Sequence, residues 1–307
     1  MTGTNEPSIL RIGTRGSPLA LVQARDVAAR LGGNTEIVEI KTTGDLVLDR
    51  PLADVGGKGL FSKEIDKALL DRRVDLAVHS MKDLETWMPD GIVIAAVLPR
   101  EDPRDAFISP NARALDDLRQ GAVVGTSSVR RQAQLLARRP DLTCVLFRGN
   151  VDTRLAKLAA GEVDATFLAC AGLNRLGRAD AVTQAIPPEV MLPAVAQGAV
   201  AVTCRADDAA VLVRLAPLND AATAARVTAE RAMLEALDGS CRTPIAGLAE
   251  IAGDGTLFLR GLVARTDGGA IHRGERRGGV ADARALGLDL GRELKAKAGP
   301  GFFGAGA

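Results

Sequence analysis

The residues best placed to do chemistry in this 307-residue chain are arginines that follow apolar runs of strand length. Arg15 comes after the run 9–13, and Arg130 and Arg131 after 122–125 by way of Thr126, Ser127 and Ser128. Arg148-Gly149-Asn150 follows 143–147, with Arg154 a turn further on, and Arg175 follows 165–168 by way of Ala171-Gly172-Leu173-Asn174. An arginine fork donates to both oxygens of a carboxylate or phosphate. Hydroxyls at helix starts, such as Ser17, add donors for an anion. In open α/β sheets the ligand sits beyond the carboxyl ends of the strands. Any one of these arginines also fits a solvated helix face. Six at one edge predict a cleft for a small ligand with several negative groups.

His79-Ser80-Met81-Lys82-Asp83 follows the strand expected at 74–78. Asp83 either caps the next turn or, in an arginine-lined cleft, carries protons or stabilises a cation. His79 has no serine or aspartate at triad-like positions and reads as structural. Gly56-Gly57-Lys58-Gly59 misses the phosphate-loop pattern, because a glycine follows the lysine; it reads as a loop closing over the cleft, with Lys58 as an anion contact.

The cysteines Cys144, Cys170, Cys204 and Cys241 lie 26, 34 and 37 residues apart, so no C-x-x-C pair exists, and two histidines leave little room for a zinc site. They read as reduced thiols of a cytosolic protein. Cys241 stands out because it sits in a turn of small residues, Gly239-Ser240-Cys241-Arg242. A thiol beside Arg242 suits a nucleophile or a covalent attachment point.

Strand-length and helical periodicities alternate around these residues. The runs 9–13, 37–40, 74–78 and 92–97, with helices after Ser17 and over 61–70, predict a largely parallel, helix-covered sheet. A second such series begins after Arg100-Glu-Asp-Pro-Arg104, and an apolar run at 195–203 reads as a buried return strand. This makes two α/β lobes joined by two crossings. From about Asn219 a helix at 221–237, alternating strands and a closing helix near 281–298 make a small α+β module.

Composition narrows the ligand. The net charge is +1, so the basic footprint of a nucleic-acid or membrane binder is missing. Seven Phe, one Trp and no Tyr argue against a base-stacking platform. No signal peptide or membrane span is readable, against the export signal that a two-lobed anion receptor would carry. Nothing demands more than a monomer.

Seven strings together carry a resemblance: Thr14-Arg15-x-Ser17-Pro-Leu-Ala20, Val55-Gly-Gly-Lys-Gly-Leu-Phe61, Ala77-Val-His-Ser-Met-Lys-Asp83, Arg100-Glu-Asp-Pro-Arg-Asp-Ala-Phe107, Gly125-Thr-Ser-Ser-x-Arg-Arg-Gln132, Arg148-Gly-Asn150 and Leu192-Pro-Ala-Val-x-Gln-Gly198. From about residue 8 to about 296 the chain resembles the hydroxymethylbilane synthases, or porphobilinogen deaminases. The resemblance implies an α/β fold of two lobes like type II periplasmic binding proteins (1–98 with 198–217, and 103–193) plus a cofactor-bearing α+β domain at 220–307. It implies a transferase that joins four porphobilinogen molecules head to tail, releasing ammonia each time, to give hydroxymethylbilane for haem and related pigments.

The implied cofactor is one dipyrromethane per chain, held by a thioether to Cys241. Asp83 would be the catalytic carboxylate. Lys82, Asp83, Thr126, Ser127, Ser128, Arg130, Arg131, Arg154 and Gly172 would hold the cofactor; Arg15, Ser17, Arg148, Asn150, Arg175 and Lys58 would hold porphobilinogen and the growing oligopyrrole. Lys58 and Phe61 would lie on a lid, with hinges near 99–103 and 194–198. The sequence departs from the family at Asp54, where Lys is usual, at Glu85, where Pro is expected and its loss predicts a looser turn beyond Asp83, and at Ser240 and Arg242-Thr243.

Overall fold

The computed structural model describes residues 9–46, 59–239 and 243–303. The chain begins with β1 (Leu10–Thr14), α1 (Pro18–Leu31), β2 (Thr35–Glu39), α2 (Thr43–Leu46), α3 (Lys63–Leu70), β3 (Leu76–Ser80) and β4 (Ile92–Val97). Next come β5 (Asp105–Ile108), β6 (Val123–Gly125), α4 (Val129–Arg138), β7 (Thr143–Val145), α5 (Val151–Ala159), β8 (Ala165–Ala169), α6 (Cys170–Arg175) and β9 (Gln184–Ala185). The chain ends with β10 (Val200–Arg205), α7 (Ala209–Leu215), α8 (Ala221–Ala236), β11 (Ile245–Ile251), β12 (Thr256–Ala264), β13 (Ile271–Gly279) and α9 (Ala283–Ala298).

The helices that start at the cleft start where the sequence supplies caps. Ser17 accepts from the Ala20 amide with Pro18 in the first helical position, Ser128 from Arg131, and Asn150 from Thr153. Each such cap contributes about 1 kcal/mol and fixes which residue leaves the strand and which enters the helix.

Two five-stranded sheets form, in the orders β2-β1-β3-β10-β4 and β7-β6-β8-β5-β9. Both are mixed rather than largely parallel. β10 runs antiparallel to β3 and β4, and β5 antiparallel to β8 and β9. A run of apolar residues carries no direction; the side from which each crossing enters its sheet sets it. The parallel trios β2-β1-β3 and β7-β6-β8 still bring three carboxyl ends to one edge of each lobe. Some boundaries shift. The strand expected at 74–78 lies at 76–80, so His79 and Ser80 belong to it. The return strand begins at Val200, because residues 194–199 make successive turns through Ala196, at φ 58°. Phe61 and Ser62 precede α3 in a turn on Gly59.

β11, β12 and β13 form a third, antiparallel sheet covered by α8 and α9. These helices approach so closely that a Cβ on Gly287 would lie 2.2 Å from the Ala229 carbonyl oxygen. The two crossings between the lobes run side by side, with Leu98 N–H donating to the Val200 carbonyl (3.0 Å) and Glu101 N–H to that of Gly198 (3.2 Å). Gly198, at φ 89°, leaves no room for a Cβ, which would meet the Glu101 oxygen at 2.3 Å.

Glu230 of α8 joins both crossings to the third sheet. It accepts from Arg100 (2.6 and 3.1 Å), from the Ala196 amide (2.6 Å) and from the Ala249 amide (2.7 Å). The side chains of Arg100 and Glu230 are 2% and 0% exposed.

Candidate functional site

A cavity of about 840 Å³ opens between the carboxyl ends of the two parallel trios. Arg15, Ser17 and Lys82 line it from the first lobe; Ser127, Arg131, Arg148, Asn150, Arg154 and Gly172 line it from the second. A recess of about 90 Å³ continues it, sharing Arg15, Ser17, Phe61 and Lys82 and reaching Asp83, His79 and Ser80. Gln23, exchanging hydrogen bonds with Ser80 at 2.9 and 3.1 Å, also lines the recess.

Asp83 closes a single 3-10 turn, Met81–Asp83, at the end of β3. Its carboxylate lies 4.0 Å from the Arg15 guanidinium, which stacks on the Phe61 ring at 4.1 Å. Among the described residues lining the recess, Asp83 is the one acid. The preceding Lys82 donates to Gln197 (3.3 Å), and the Met81 amide donates to the Ala199 carbonyl (3.0 Å), so the second crossing holds the turn. Burial pushes the Lys82 ammonium down to about 8, with Arg131 and Arg130 adding to the fall and Asp83 and Asp105 opposing it.

Behind the turn lies a centre that the sequence reading missed. Asp105, fully buried, accepts from Arg130 (2.7 and 3.2 Å), from Arg131 (3.1 and 2.7 Å) and from Gln197 (2.9 Å). Desolvation would raise its pKa, but the two guanidiniums hold it well below the usual carboxylate range. Arg130, expected in the cleft, is 5% exposed, donates to Asp105 and the Leu192 carbonyl, and is not among the residues that line the cavity. Arg131 keeps one face on the cleft while donating to Asp105 and the Phe167 carbonyl. The only sequence signal was Asp105 itself, a charge inside an apolar strand.

Other expected donors divide between lining the cleft and shaping it. Thr126 accepts from the Ser128 amide (3.1 Å) and Ser128 caps α4, so both organise the turn that presents Ser127. Arg175 donates to the Gly198 carbonyl (2.8 Å), tying α6 to the second crossing instead of lining the cavity. Arg154 donates to the Gly149 carbonyl (2.8 Å); burial and then the repulsion of Arg131 and Arg148 push it down to about 10. The cleft therefore carries more positive charge than its own acids offset, since Asp152 is paired with Arg178 at 2.6 Å and Glu39 is the other acid lining it.

His79 is buried against the Thr203 hydroxyl (3.0 Å), and burial followed by Arg15 pushes its pKa down to about 4, which leaves it neutral near pH 7. Burial raises the thiols of Cys144, Cys170 and Cys204 to about 11, away from thiolate chemistry. The turn beyond Asp83 is not looser for having Glu85: Arg231 of α8 grips the carbonyls of Leu84 and Glu85 (3.3 and 2.5 Å), and the Glu85 carboxylate accepts from the Gly59 amide (3.0 Å). Asp54, Lys58, Ser240, Cys241 and Arg242 lie outside the described residues.

Fold and site together define a two-lobed protein with a cation-lined cleft between its lobes and one carboxylate at the cleft's recess among the described residues. Two family models match: the porphobilinogen deaminase, dipyromethane cofactor binding domain over residues 10–213, and the porphobilinogen deaminase C-terminal domain over 224–296. The chain is 56% identical over 301 residues to the porphobilinogen deaminase of Paracoccus denitrificans, covering 96% of each. It is 52% identical to the chloroplastic porphobilinogen deaminase of Oryza sativa subsp. japonica, covering 96% of this chain and 86% of the relative. A periplasmic substrate-binding protein of an ABC transporter from Coxiella burnetii is similar at a TM-score of 0.42 and 18% identity, over 68% of this chain and 91% of its own. The two-lobed description above stands on strand pairing and not on that likeness.

The chain belongs to the porphobilinogen deaminase family. It is a transferase that makes hydroxymethylbilane from porphobilinogen in tetrapyrrole synthesis, and its cofactor is dipyrromethane. Among the described residues no helix is long and apolar enough to cross a membrane.

Proposed function

We propose that Asp83 is the catalytic carboxylate of this chain, that Cys241 carries the dipyrromethane, and that the arginine cleft measures out room for a chain of acidic pyrroles. The observation that carries this is the one acid among the described residues of the recess, 4.0 Å from Arg15, at the end of a cleft lined by Lys82, Arg131, Arg148 and Arg154. The donor set suits the cofactor: guanidiniums and hydroxyls for its carboxylates, and a carboxylate for its pyrrole N–H groups. Lys82, Asp83, Ser127, Arg131, Arg154 and Gly172 would hold it, with Thr126, Ser128 and Arg130 shaping their positions. When bound, the dipyrromethane supplies the pyrrole end from which the product grows.

Arg15, Ser17, Arg148 and Asn150 bind the acetate and propionate of the incoming porphobilinogen, with Arg175 fixing the adjacent crossing and Lys58 as a further anion contact. As the C–N bond to the aminomethyl group breaks and ammonia leaves, positive charge spreads into the substrate's pyrrole ring. The Asp83 carboxylate, held beside the ring N–H, stabilises that charge as it develops. The lobes correspond to residues 1–98 with 198–217 and to 103–193, the cofactor-bearing domain to 220–307, and the paired crossings to the hinge. One chain acts alone in the cytoplasm, without nucleic acid; the near-neutral net charge supports the last point.

Intact-protein mass tests the attachment. The purified chain is expected to be heavier than its sequence by one dipyrromethane, and Cys241→Ser to lose both the excess and the activity; an active chain of unmodified mass overturns it. A pH series tests Lys82. Because its pKa is lowered to about 8, the side chain is cationic below that pH and neutral above it. Because Lys82 would position the cofactor end that the incoming substrate meets, KM for porphobilinogen is expected to rise about three- to tenfold between pH 7 and 9. Lys82→Arg, which stays protonated, flattens that rise.

A further inference from the structure

A second cavity, of about 500 Å³, lies on the far side of the catalytic turn. One wall is a single face of α3, where Lys63, Asp66, Lys67 and Leu70 recur at helical spacing. The facing wall is the chain that leaves Asp83, chiefly Leu84, Trp87, Met88 and Pro89. Leu70 and Trp87 are 47% and 50% exposed, an apolar pair open to solvent. Asp66 is 7% exposed, and its Oδ1 is buried with no hydrogen-bond partner. A buried acceptor left unpaired is costly, and Asp66 lines the cavity, so a donor that reached its carboxylate from there would offset that cost. Burial, with the neighbouring Glu64 adding and Ser62 opposing, raises Asp66 to about 6.

We propose that this cavity is a second small-molecule site, selective for an amphipathic monocation whose primary amine donates to Asp66 and whose apolar body lies against Leu70, Leu84, Trp87 and Met88. The charges lining it favour a cation. Lys63 and Lys67 are both exposed, and Lys67 is paired with Asp71 at 2.8 Å, while Glu85 accepts from a backbone amide. With Lys67 and Asp71 paired, the remaining acids Asp66 and Glu85 outnumber Lys63, so the two carboxylates of porphobilinogen meet net negative charge here and the substrate is a poor occupant. The site is distinct from the reaction cleft but not isolated from it. Ser62 and Leu84 line both this cavity and the Asp83 recess, so an occupant bears on the chain that leaves the catalytic carboxylate. Affinity here and turnover there are therefore coupled.

Trp87 is the only tryptophan and tyrosine is absent, so intrinsic emission reports the site directly. The full-length holoenzyme is titrated with 2-phenylethylamine and with the neutral 2-phenylethanol while Trp87 emission and turnover are recorded. The amine is expected to shift the emission saturably and to alter kcat/KM. Asp66→Asn is expected to weaken the amine about tenfold or more while changing the alcohol by less than about twofold, with amine-free turnover intact. Leu70→Lys, at an exposed position that does not threaten folding, weakens the amine by added repulsion. No saturable shift at millimolar amine, equal affinity for amine and alcohol, or an amine affinity indifferent to Asp66→Asn overturns the site; unchanged kcat/KM at saturation overturns the coupling.

Discussion

Asp83→Asn is expected to lower kcat by about three orders of magnitude or more while leaving KM within a few-fold and the cofactor in place. Asparagine keeps the shape of the side chain, removes its charge and replaces one acceptor oxygen by an N–H donor. In the recess that charge is the one described acid facing Arg15, with Lys82, Arg131, Arg148 and Arg154 in the adjoining cleft, so nothing else there stabilises a cation on the substrate. The carboxylate cannot move far to compensate in other variants, because its turn is fixed through the Met81 amide at one end and through Leu84 and Glu85, gripped by Arg231, at the other. If Asp83 merely capped a turn, the asparagine variant would turn over normally, since asparagine caps as well as aspartate. Single-turnover kinetics with the holoenzyme separates the two outcomes.

Glu230→Ala is expected to cost about 3–5 kcal/mol of unfolding free energy, read by urea denaturation. The loss leaves the Arg100 guanidinium, 2% exposed, without a counter-charge, and removes the acceptor of the Ala196 and Ala249 amides. The cost comes from the uncompensated charge and not from an intrinsic strength of the pair. The double variant Arg100→Met with Glu230→Met is therefore expected to recover part of the stability, whereas equal loss in the single and double variants contradicts this account. Because Arg100 also donates to the Gln197 carbonyl at 2.9 Å, Glu230→Ala should raise KM as well.

What the sequence made legible was local. Ser17-Pro18, Ser128 and Asn150 announce helix starts, and each brings the polar residues before it to a strand end that a periodicity argument finds. The cleft residues Arg15, Ser127, Arg131, Arg148 and Arg154 followed from that rule, as did Asp83. The rule fails where a side chain turns inward instead of outward. Arg130 and Arg131 are adjacent in sequence, yet only Arg131 reaches the cavity, because Asp105, 25 residues before Arg130, pulls both guanidiniums toward the interior. Gln197, which binds Lys82, Asp105 and the Pro103 carbonyl at once, was invisible for the same reason: its partners come from two stretches of chain, each more than ninety residues away. His79 was read as following a strand and is inside it, since an apolar run ending in His-Ser gives no sign of where pairing with β10 stops.

That pairing also sets an order of assembly. β3 and β4 are not neighbours in the first sheet; β10 lies between them and bonds to both. While the chain emerges from a ribosome, the first lobe thus waits with an empty slot between β3 and the edge strand β4 until Arg205 has been made. The second sheet, whose strands all fall between Asp105 and Ala185, needs no strand from later in the chain. The strands behind Arg131, Arg148 and Arg154 therefore pair before those behind Asp83, and the Met81–Asp83 turn, which hangs on Ala199 and Gln197, is set only when the returning strand seats.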